Sequence, residues 1–308
     1  MKTLTVICPV YNEEKCIEKF IHEIKLFEKT LSDKYELNIF FSNNASTDNT
    51  LDLIKKNSEK YKNIFYQTLS KNYGYQKSMN FALKNIKSDL YTFIDCDLQD
   101  PPQLINEFLA EHEKGYDIVY GLRKDRNENF LLKSGRKLFY RFLKLISDYE
   151  LSLDMAEFGL FTLEVRNAII SENNSYPFLR ANICRVGFSK LGIPYKRDKR
   201  FSGKSYYNFY TLLEFAIAGT LSSSTFPLRL SLYLFPFWII LSSFFIYFNL
   251  KLSDELFWKY FVIISFFYIC IILIFLSIYM ARIYNNILNR PIAFLDKKKS
   301  YMHPSYYE

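Results

Sequence analysis

Apolar positions in the first half of the chain alternate between two periods. Leu4 to Val10 is a short β-rich run, and Ile17, Phe20, Ile21, Ile24 and Phe27 then recur at helical spacing within 14–30. The pair repeats. Leu37 to Phe41 predicts a strand, 48–56 a helix opened by Ser46-Thr47-Asp48, and Ile64 to Leu69 a strand. Gly74 breaks the chain before a helix through Met79, Phe81, Ala82 and Ile86, and Leu90 to Ile94 reads as a buried strand. A helix over 103–113, a strand from Ile118 to Tyr120 ending at Gly121, and a helix over about 130–147 follow. Strands alternating with helices at this spacing imply parallel βαβ units, hence an α/β fold with a doubly wound, mostly parallel sheet. Such an architecture binds nucleotides in many proteins but names no reaction by itself.

The pattern changes near residue 229. Leu230 to Leu250 and Phe261 to Ala281 carry no charge at all, bracketed by Arg229 and Lys251 and by Lys259 and Arg282. Each is long enough to cross roughly 30 Å of hydrocarbon as a helix. Two buried core helices are the competing reading, disfavoured by runs this long with Tyr and Trp near their ends. The loop from Lys251 to Lys259 sets two Lys against Asp254 and Glu255, whereas the tail carries Arg282, Arg290, Lys297, Lys298 and Lys299. The positive-inside rule therefore places both chain ends in the cytoplasm and only the short loop outside. Phe209, Leu212, Leu213, Ala216 and Ile217 form a stripe that suits a helix at the bilayer surface. The expected division is a catalytic domain over 1–205, a juxtamembrane segment over 206–228, two membrane helices within 229–283, and a cytoplasmic tail over 284–308.

Composition narrows the chemistry. The 308 residues carry a net charge of +8, which beside two spans suits anionic headgroups and phosphate-bearing substrates better than nucleic acid. Leu4 to Val10 is too short, and too soon followed by Glu13 and Glu14, for a secretory h-region. The 5 Cys show no paired spacing, so neither a disulfide framework nor a zinc site is expected, and 3 His make His-based metal chemistry unattractive.

The chemistry concentrates in Phe93-Ile94-Asp95-Cys96-Asp97-Leu98-Gln99-Asp100-Pro101-Pro102. A buried strand delivers carboxylates at i and i+2 to its carboxyl end, where open α/β sheets keep their ligands. Asp95, Asp97 and the amide oxygen of Gln99 are hard ligands suited to Mg²⁺ or Mn²⁺ carrying a diphosphate. Pro9 to Glu14 and Ser42 to Thr50 place an aromatic and polar acceptors at equivalent strand ends, where ordinary turns and helix capping are the bland alternatives. Lys133, Lys137, Arg141 and Lys144 line one face of the 130–147 helix, either solvated or meeting phosphates. Asp154 and Glu157 stand in an otherwise apolar segment, and Tyr195 to Tyr207 mixes Arg, hydroxyls and Gly203 as expected for phosphate capture.

On Pro9-Val10-Tyr11-Asn12-Glu13-Glu14, Ala45-Ser46-Thr47-Asp48, Lys71-Asn72-Tyr73-Gly74, the Asp95 to Pro102 stretch, Tyr120-Gly121-Leu122-Arg123, Arg197 to Ser205, Pro227-Leu228-Arg229 and Arg290-Pro291, the chain resembles the membrane-bound family 2 glycosyltransferases of the polyprenyl-phosphate group. That group includes dolichol-phosphate mannose synthases and bactoprenol glucosyltransferases. The resemblance implies a GT-A fold in the bacterial cytoplasmic membrane that passes a sugar, with inversion, from a nucleotide-sugar to a polyprenyl phosphate such as undecaprenyl phosphate, using Mg²⁺ or Mn²⁺. By position it implies that Pro9, Tyr11, Asn12, Glu13, Asn43, Lys71, Gly74 and Asp95 line the nucleotide-sugar pocket. Asp95, Asp97 and Gln99 would hold the metal, and Arg123, Arg136, Arg200 and Ser205 the acceptor phosphate. Asp97 and Glu157 are the catalytic candidates, with Glu157 either orienting a sugar hydroxyl or acting as a base. Membrane lipids are expected partners, nucleic acid is not, and a homo-oligomer is one expectation from relatives. Asn43-Asn44-Ala45-Ser46 stands where many relatives have Asp-Asp-Gly-Ser, Gly159 where an Arg is common, and Tyr206 where many have Lys. The remaining alternatives are transfer to another lipid or a glycan, and a catalytically weak scaffold.

Overall fold

The computed structural model describes residues 1–124, 130–152, 155–172, 174–198, 209–252 and 255–303, without the side chains of 130–133, 136, 137, 209–215, 249–252 and 255–257. The elements alternate as the periodicity predicts: β1 (Lys2–Val10), α1 (Glu14–Glu28), β2 (Tyr35–Asn43), α2 (Thr50–Lys60), β3 (Ile64–Thr68), α3 (Tyr75–Asn85), β4 (Leu90–Phe93) and α4 (Leu104–Glu113). Next come β5 (Ile118–Lys124), α5 (Phe130–Ile146), β6 (Met155–Thr162), α6 (Leu163–Ile170), α7 (Leu179–Arg185) and β7 (Lys190–Lys196), followed by α8 (Phe209–Ser223), α9 (Phe226–Leu252) and α10 (Glu255–Ile287).

One 7-stranded sheet runs β3-β2-β1-β4-β6-β5-β7. β1 pairs in parallel with β2 and β4, and β3 with β2; β6 is antiparallel to both β4 and β5, and β7 is parallel to β5. Central strands are buried on both faces. Leu4, Val6 and Cys8 of β1 pack with Ile17, Phe20 and Ile24 of α1 and with Phe108 of α4, whereas Ile7 faces Met79 and Leu83 of α3 and Val165 of α6. Helices on both faces are what make the apolar run of β1 continuous rather than alternating. The chain order reverses between β1 and β4, so their carboxyl ends flank the crevice where such sheets bind ligands.

Two expectations are corrected. β5 does not stop at Gly121 but runs on to Lys124, because β7 pairs with it as far as Lys124↔Lys196. The second helix begins at Thr50 rather than 48, since Asp48 is spent on the turn before it, accepting the Thr50 N–H at 3.0 Å and the Glu14 N–H at 3.2 Å. Gly159 has a packing reason: a Cβ there would lie 2.9 Å from the Val119 carbonyl oxygen, inside the β5–β6 pairing.

After β7 the chain turns apolar. Phe226–Phe248 and Trp258–Ile287 are long and apolar enough to cross a membrane. Side chains such as Phe237, Ile240 and Phe266 stand exposed along them, an apolar surface that suits lipid rather than water. The two helices form a hairpin in which Trp238 stacks on Tyr268 at 5.8 Å. The chain then returns to the sheet: Leu295 bridges Leu69 and Tyr301 bridges Tyr66, which covers the free edge of β3.

Candidate active site

The rim of the crevice is built from three strand-end loops, each with a non-glycine residue in the left-handed region: Asn12 (φ 55°), Ala45 (φ 60°) and Leu98 (φ 59°). Such conformations are costly and persist where surrounding bonds enforce them. Those bonds are present. The Asn12 N–H donates to Ser46 Oγ at 3.0 Å, and Asn12 Oδ1 accepts from the Thr47 N–H at 2.8 Å. Asn43, fully buried, accepts the Ser46 N–H at 3.0 Å and donates to Thr68 Oγ1 at 3.3 Å. Asn12 and Asn43 therefore spend their amides bracing the loops. Pro9 pairs within β1, Tyr11 and Glu13 are half-buried beside it, and Lys71 is exposed with its ammonium 5.2 Å from the Tyr73 ring. Gly74, at φ 86°, caps α3 in a conformation that glycine adopts without strain.

The acidic stretch lies past the end of β4. Asp95 accepts from the Tyr75 hydroxyl at 2.9 Å, and its other oxygen is 3.6 Å from Arg197 Nη2. Asp97 is buried and accepts the Gln99 N–H at 3.1 Å. Gln99 is clasped to Asp198 by a side-chain amide bond at 3.1 Å and a backbone bond at 2.9 Å. Behind them Asp100, 2 % exposed, receives the Tyr195 hydroxyl and the Arg197 Nε at 3.1 Å, with Arg123 Nη2 at 4.0 Å. Burial, together with the charges of Asp100, Asp97 and Glu157, pushes the Asp95 carboxyl up to about 7. The same burial, with Asp95 and Glu157 nearby, holds the Tyr75 hydroxyl well above its ordinary range.

Glu157 reaches this cluster through strand direction. β6 runs against β4 with Phe93↔Gly159 as the last pair, and continuing that register sets Glu157 across from Asp95. Gln76 Nε2 donates to Glu157 at 2.7 Å, Arg180 Nε approaches it at 3.4 Å, and the Leu179 N–H donates to Gln76 Oε1 at 2.9 Å. The first turn of α3 thus holds both carboxylates, Tyr75 on Asp95 and Gln76 on Glu157.

A divalent cation fits this donor set. Asp95 and Asp97 are hard oxygen donors, and a cation would offset the burial and the neighbouring carboxylate charges that raise Asp95. Among the described residues no three His, Cys, Asp or Glu side chains converge on one point, so beside Asp95 and Asp97 a cation here would draw on the Gln99 amide oxygen, substrate oxygens and water. The Arg136 side chain, Arg200, Ser205, Asp154 and Tyr206 lie outside the described residues. Sequence reasoning gave no role to Tyr75, Gln76, Asp100 or Arg180, whereas Tyr195 and Arg197 belong to the stretch expected to capture phosphate. Asp100 and Arg197 sat within motifs already singled out, but nothing in the sequence pointed to Tyr75 or Gln76.

A mostly parallel sheet with this strand order, a rim of braced strand-end loops and an acidic tip at the switch point form the framework of a GT-A fold, and the family match supplies the class, a glycosyltransferase. The profile described as "Glycosyl transferase family 2" matches residues 5–168, and the chain belongs to that family. It is similar to "Uncharacterized glycosyltransferase YkcC" of Bacillus subtilis, 28 % identical over 95 % of this chain and 93 % of that one. "Uncharacterized glycosyltransferase YkoT" of Bacillus subtilis is 31 % identical over 73 % of this chain and 69 % of that one. "Bactoprenol glucosyl transferase" of Shigella phage SfX is 30 % identical over 75 % of each.

Proposed function

We propose that this glycosyltransferase passes a sugar, with inversion, from a nucleotide-sugar to the phosphate of a membrane polyprenol. The observation that carries the reading is the route from the second apolar helix to Glu157. Ser175 bonds Asn285 and Asn286 at the end of α10, donating to the first through Oγ at 3.0 Å and to the second through its N–H at 2.9 Å. Four residues on, Leu179 and Arg180 meet Gln76 and Glu157. A lipid-borne acceptor leaving the bilayer along this helix arrives beside the carboxylate opposite Asp95. The bactoprenol glucosyl transferase relatives agree in acceptor type.

The bond from the sugar anomeric carbon to the donor diphosphate breaks as one from that carbon to an acceptor phosphate oxygen forms, and a nucleoside diphosphate leaves. A phosphate monoester is already largely ionised near neutral pH, with a second pKa of about 6, so the nucleophile needs little help. Asp95 and Asp97 would hold a divalent cation, which supplies charge to the leaving diphosphate. Glu157, fixed by Gln76 and Arg180, orients a sugar hydroxyl. Arg123 and Arg197, held on Asp100, present positive charge to two approaching anions, with Arg136, Arg200 and Ser205 completing the acceptor set. Orientation of the two anions then lowers the barrier further.

The membrane arrangement follows from the return of the tail. Since residues 293–302 pack on β3, the catalytic sheet and the tail share one side of the bilayer, and the Lys and Arg around them favour the cytoplasmic side. In this reading the tail residues Leu295 and Tyr301, paired beside β3, join the catalytic unit proposed over 1–205.

Purified protein incubated with a panel of nucleotide-sugars and a short-chain polyprenyl phosphate tests the reading. A lipid-linked sugar of inverted configuration, abolished by EDTA and restored by Mn²⁺ or Mg²⁺, is the expected product. Modification of diacylglycerol or a glycan instead, with the prenyl phosphate untouched across the panel, overturns the acceptor assignment.

A further inference from the structure

Where the apolar run of α10 ends, the structure places two cations on one aromatic ring. The Arg282 guanidinium carbon lies 4.8 Å from the Tyr176 ring centroid, and Lys77 Nζ, from the first turn of α3, lies 5.8 Å from the same centroid. Both side chains are half-buried, and neither forms an ion pair with any described residue. The ring between them is fixed: Asn285 Nδ2 donates to the Tyr176 hydroxyl at 2.6 Å, and Ser175 is tied to Asn286 at 2.9 Å.

Partly desolvated cations without a counter-charge are costly, and an anion that completes them recovers that cost. A guanidinium lying over a ring still presents its N–H edge, the geometry that captures phosphate oxygens. Arg282 also directly follows the uncharged run from Phe261 to Ala281, where a helix that crosses a membrane would meet lipid phosphates. Lys77 follows Gln76, and Tyr176 precedes Arg180 by four residues, so the pair adjoins both groups that touch Glu157.

We propose that Arg282 and Lys77, set on the Tyr176 ring, form a binding site for the phosphate of a membrane lipid, at the entrance to the transfer site and in addition to the acceptor residues proposed above. The assignment rests on the membrane reading given above and adds a place where the lipid phosphate is held before transfer. Its ligand is a phosphate on a hydrophobic chain, from the acceptor itself or from bulk anionic phospholipid.

The test measures binding, which needs no turnover. Full-length protein in a maltoside detergent, which carries no phosphate, is titrated with a short-chain prenyl phosphate and separately with phosphatidylglycerol. The comparison is of wild type, Arg282→Gln, Lys77→Gln, the double variant, Arg282→Lys, and Lys297→Gln as an exposed basic control. Loss of a charged phosphate contact predicts weakening by roughly 10-fold per Gln variant, with nucleotide binding and melting temperature unchanged. Weakening toward prenyl phosphate alone assigns the site to the acceptor, and weakening toward both lipids assigns it to lipid phosphates in general. Arg282→Lys, which keeps the charge but loses the guanidinium edge, falls between wild type and Arg282→Gln. Wild-type affinity for both lipids in the double variant overturns the proposal. A wild type that binds prenyl phosphate but glycosylates none of it defeats the functional reading and leaves this one standing.

Discussion

Gln76 donates to Glu157 at 2.7 Å while accepting the Leu179 N–H at 2.9 Å, so one amide ties β6 to the start of α7 and fixes the carboxylate opposite Asp95. The neighbouring Tyr75 bonds Asp95 at 2.9 Å. The first turn of α3 therefore sets the separation between the carboxylates of Asp95 and Glu157. Gln76→Glu would place a second carboxylate against Glu157. A hydrogen bond to a charged group contributes about 1.5–3 kcal/mol, so kcat is expected to fall at least 10-fold, with a smaller change in KM for the nucleotide-sugar. Steady-state kinetics of Gln76→Glu and Gln76→Ala check this, and an unchanged kcat in both refutes it.

Asp95 gives a pH dependence of defined sign. Its folded-state pKa, raised to about 7, lies above the unfolded carboxylate value of about 3.9, so its contribution to stability is full at low pH and is lost as pH rises through 7. In metal-free protein Asp95→Asn is expected to raise the melting temperature at pH 8 and to leave it nearly unchanged at pH 4. Mn²⁺ binding to wild type, which needs the ionised form, weakens as pH falls below about 7. Thermal melts and calorimetry across that window measure both effects.

Asp100 is the common anchor of Tyr195, Arg197 and Arg123. Asp100→Ala removes the buried carboxylate shared by two partly buried guanidinium groups and leaves Arg197, among the described residues, only Asp95 at 3.6 Å, and breaking such a pair costs about 3–5 kcal/mol. In a chain of this size that lowers the melting temperature by roughly 5–15 °C. Asp100→Asn, which keeps a hydrogen-bonding oxygen, is expected to lose less stability. An unaltered melt for Asp100→Ala shows that the arginines find other partners.

Pairing of the tail with β3 predicts membrane sidedness. With Cys270 replaced, cysteines introduced at Lys34 and at Lys297 are labelled by an impermeant maleimide from the same face of sealed vesicles, and one at Lys251 from the opposite face. Truncation after Arg290 removes buried Ala293 and Met302 and bares the β3 edge, so the shortened protein elutes as aggregate on size exclusion. Labelling of Lys34→Cys and Lys297→Cys from opposite faces refutes the arrangement.

The sequence by itself determined the alternation of strand and helix through α5, the two apolar helices and the acidic tip of β4. Each rests on periodicity, run length or residue type within one stretch, which local patterning records. Only the tertiary structure decided that β6 runs antiparallel and carries Glu157 to Asp95, that Tyr75 and Gln76 grip both carboxylates, and that the tail closes the edge of β3. The Gln76 and Glu157 positions lie 81 apart in sequence, and Tyr66 and Tyr301 are separated by two long apolar helices. Such partners leave no periodic trace, because strand direction and register are fixed by which surfaces can be buried together, a property of the assembled sheet rather than of any segment.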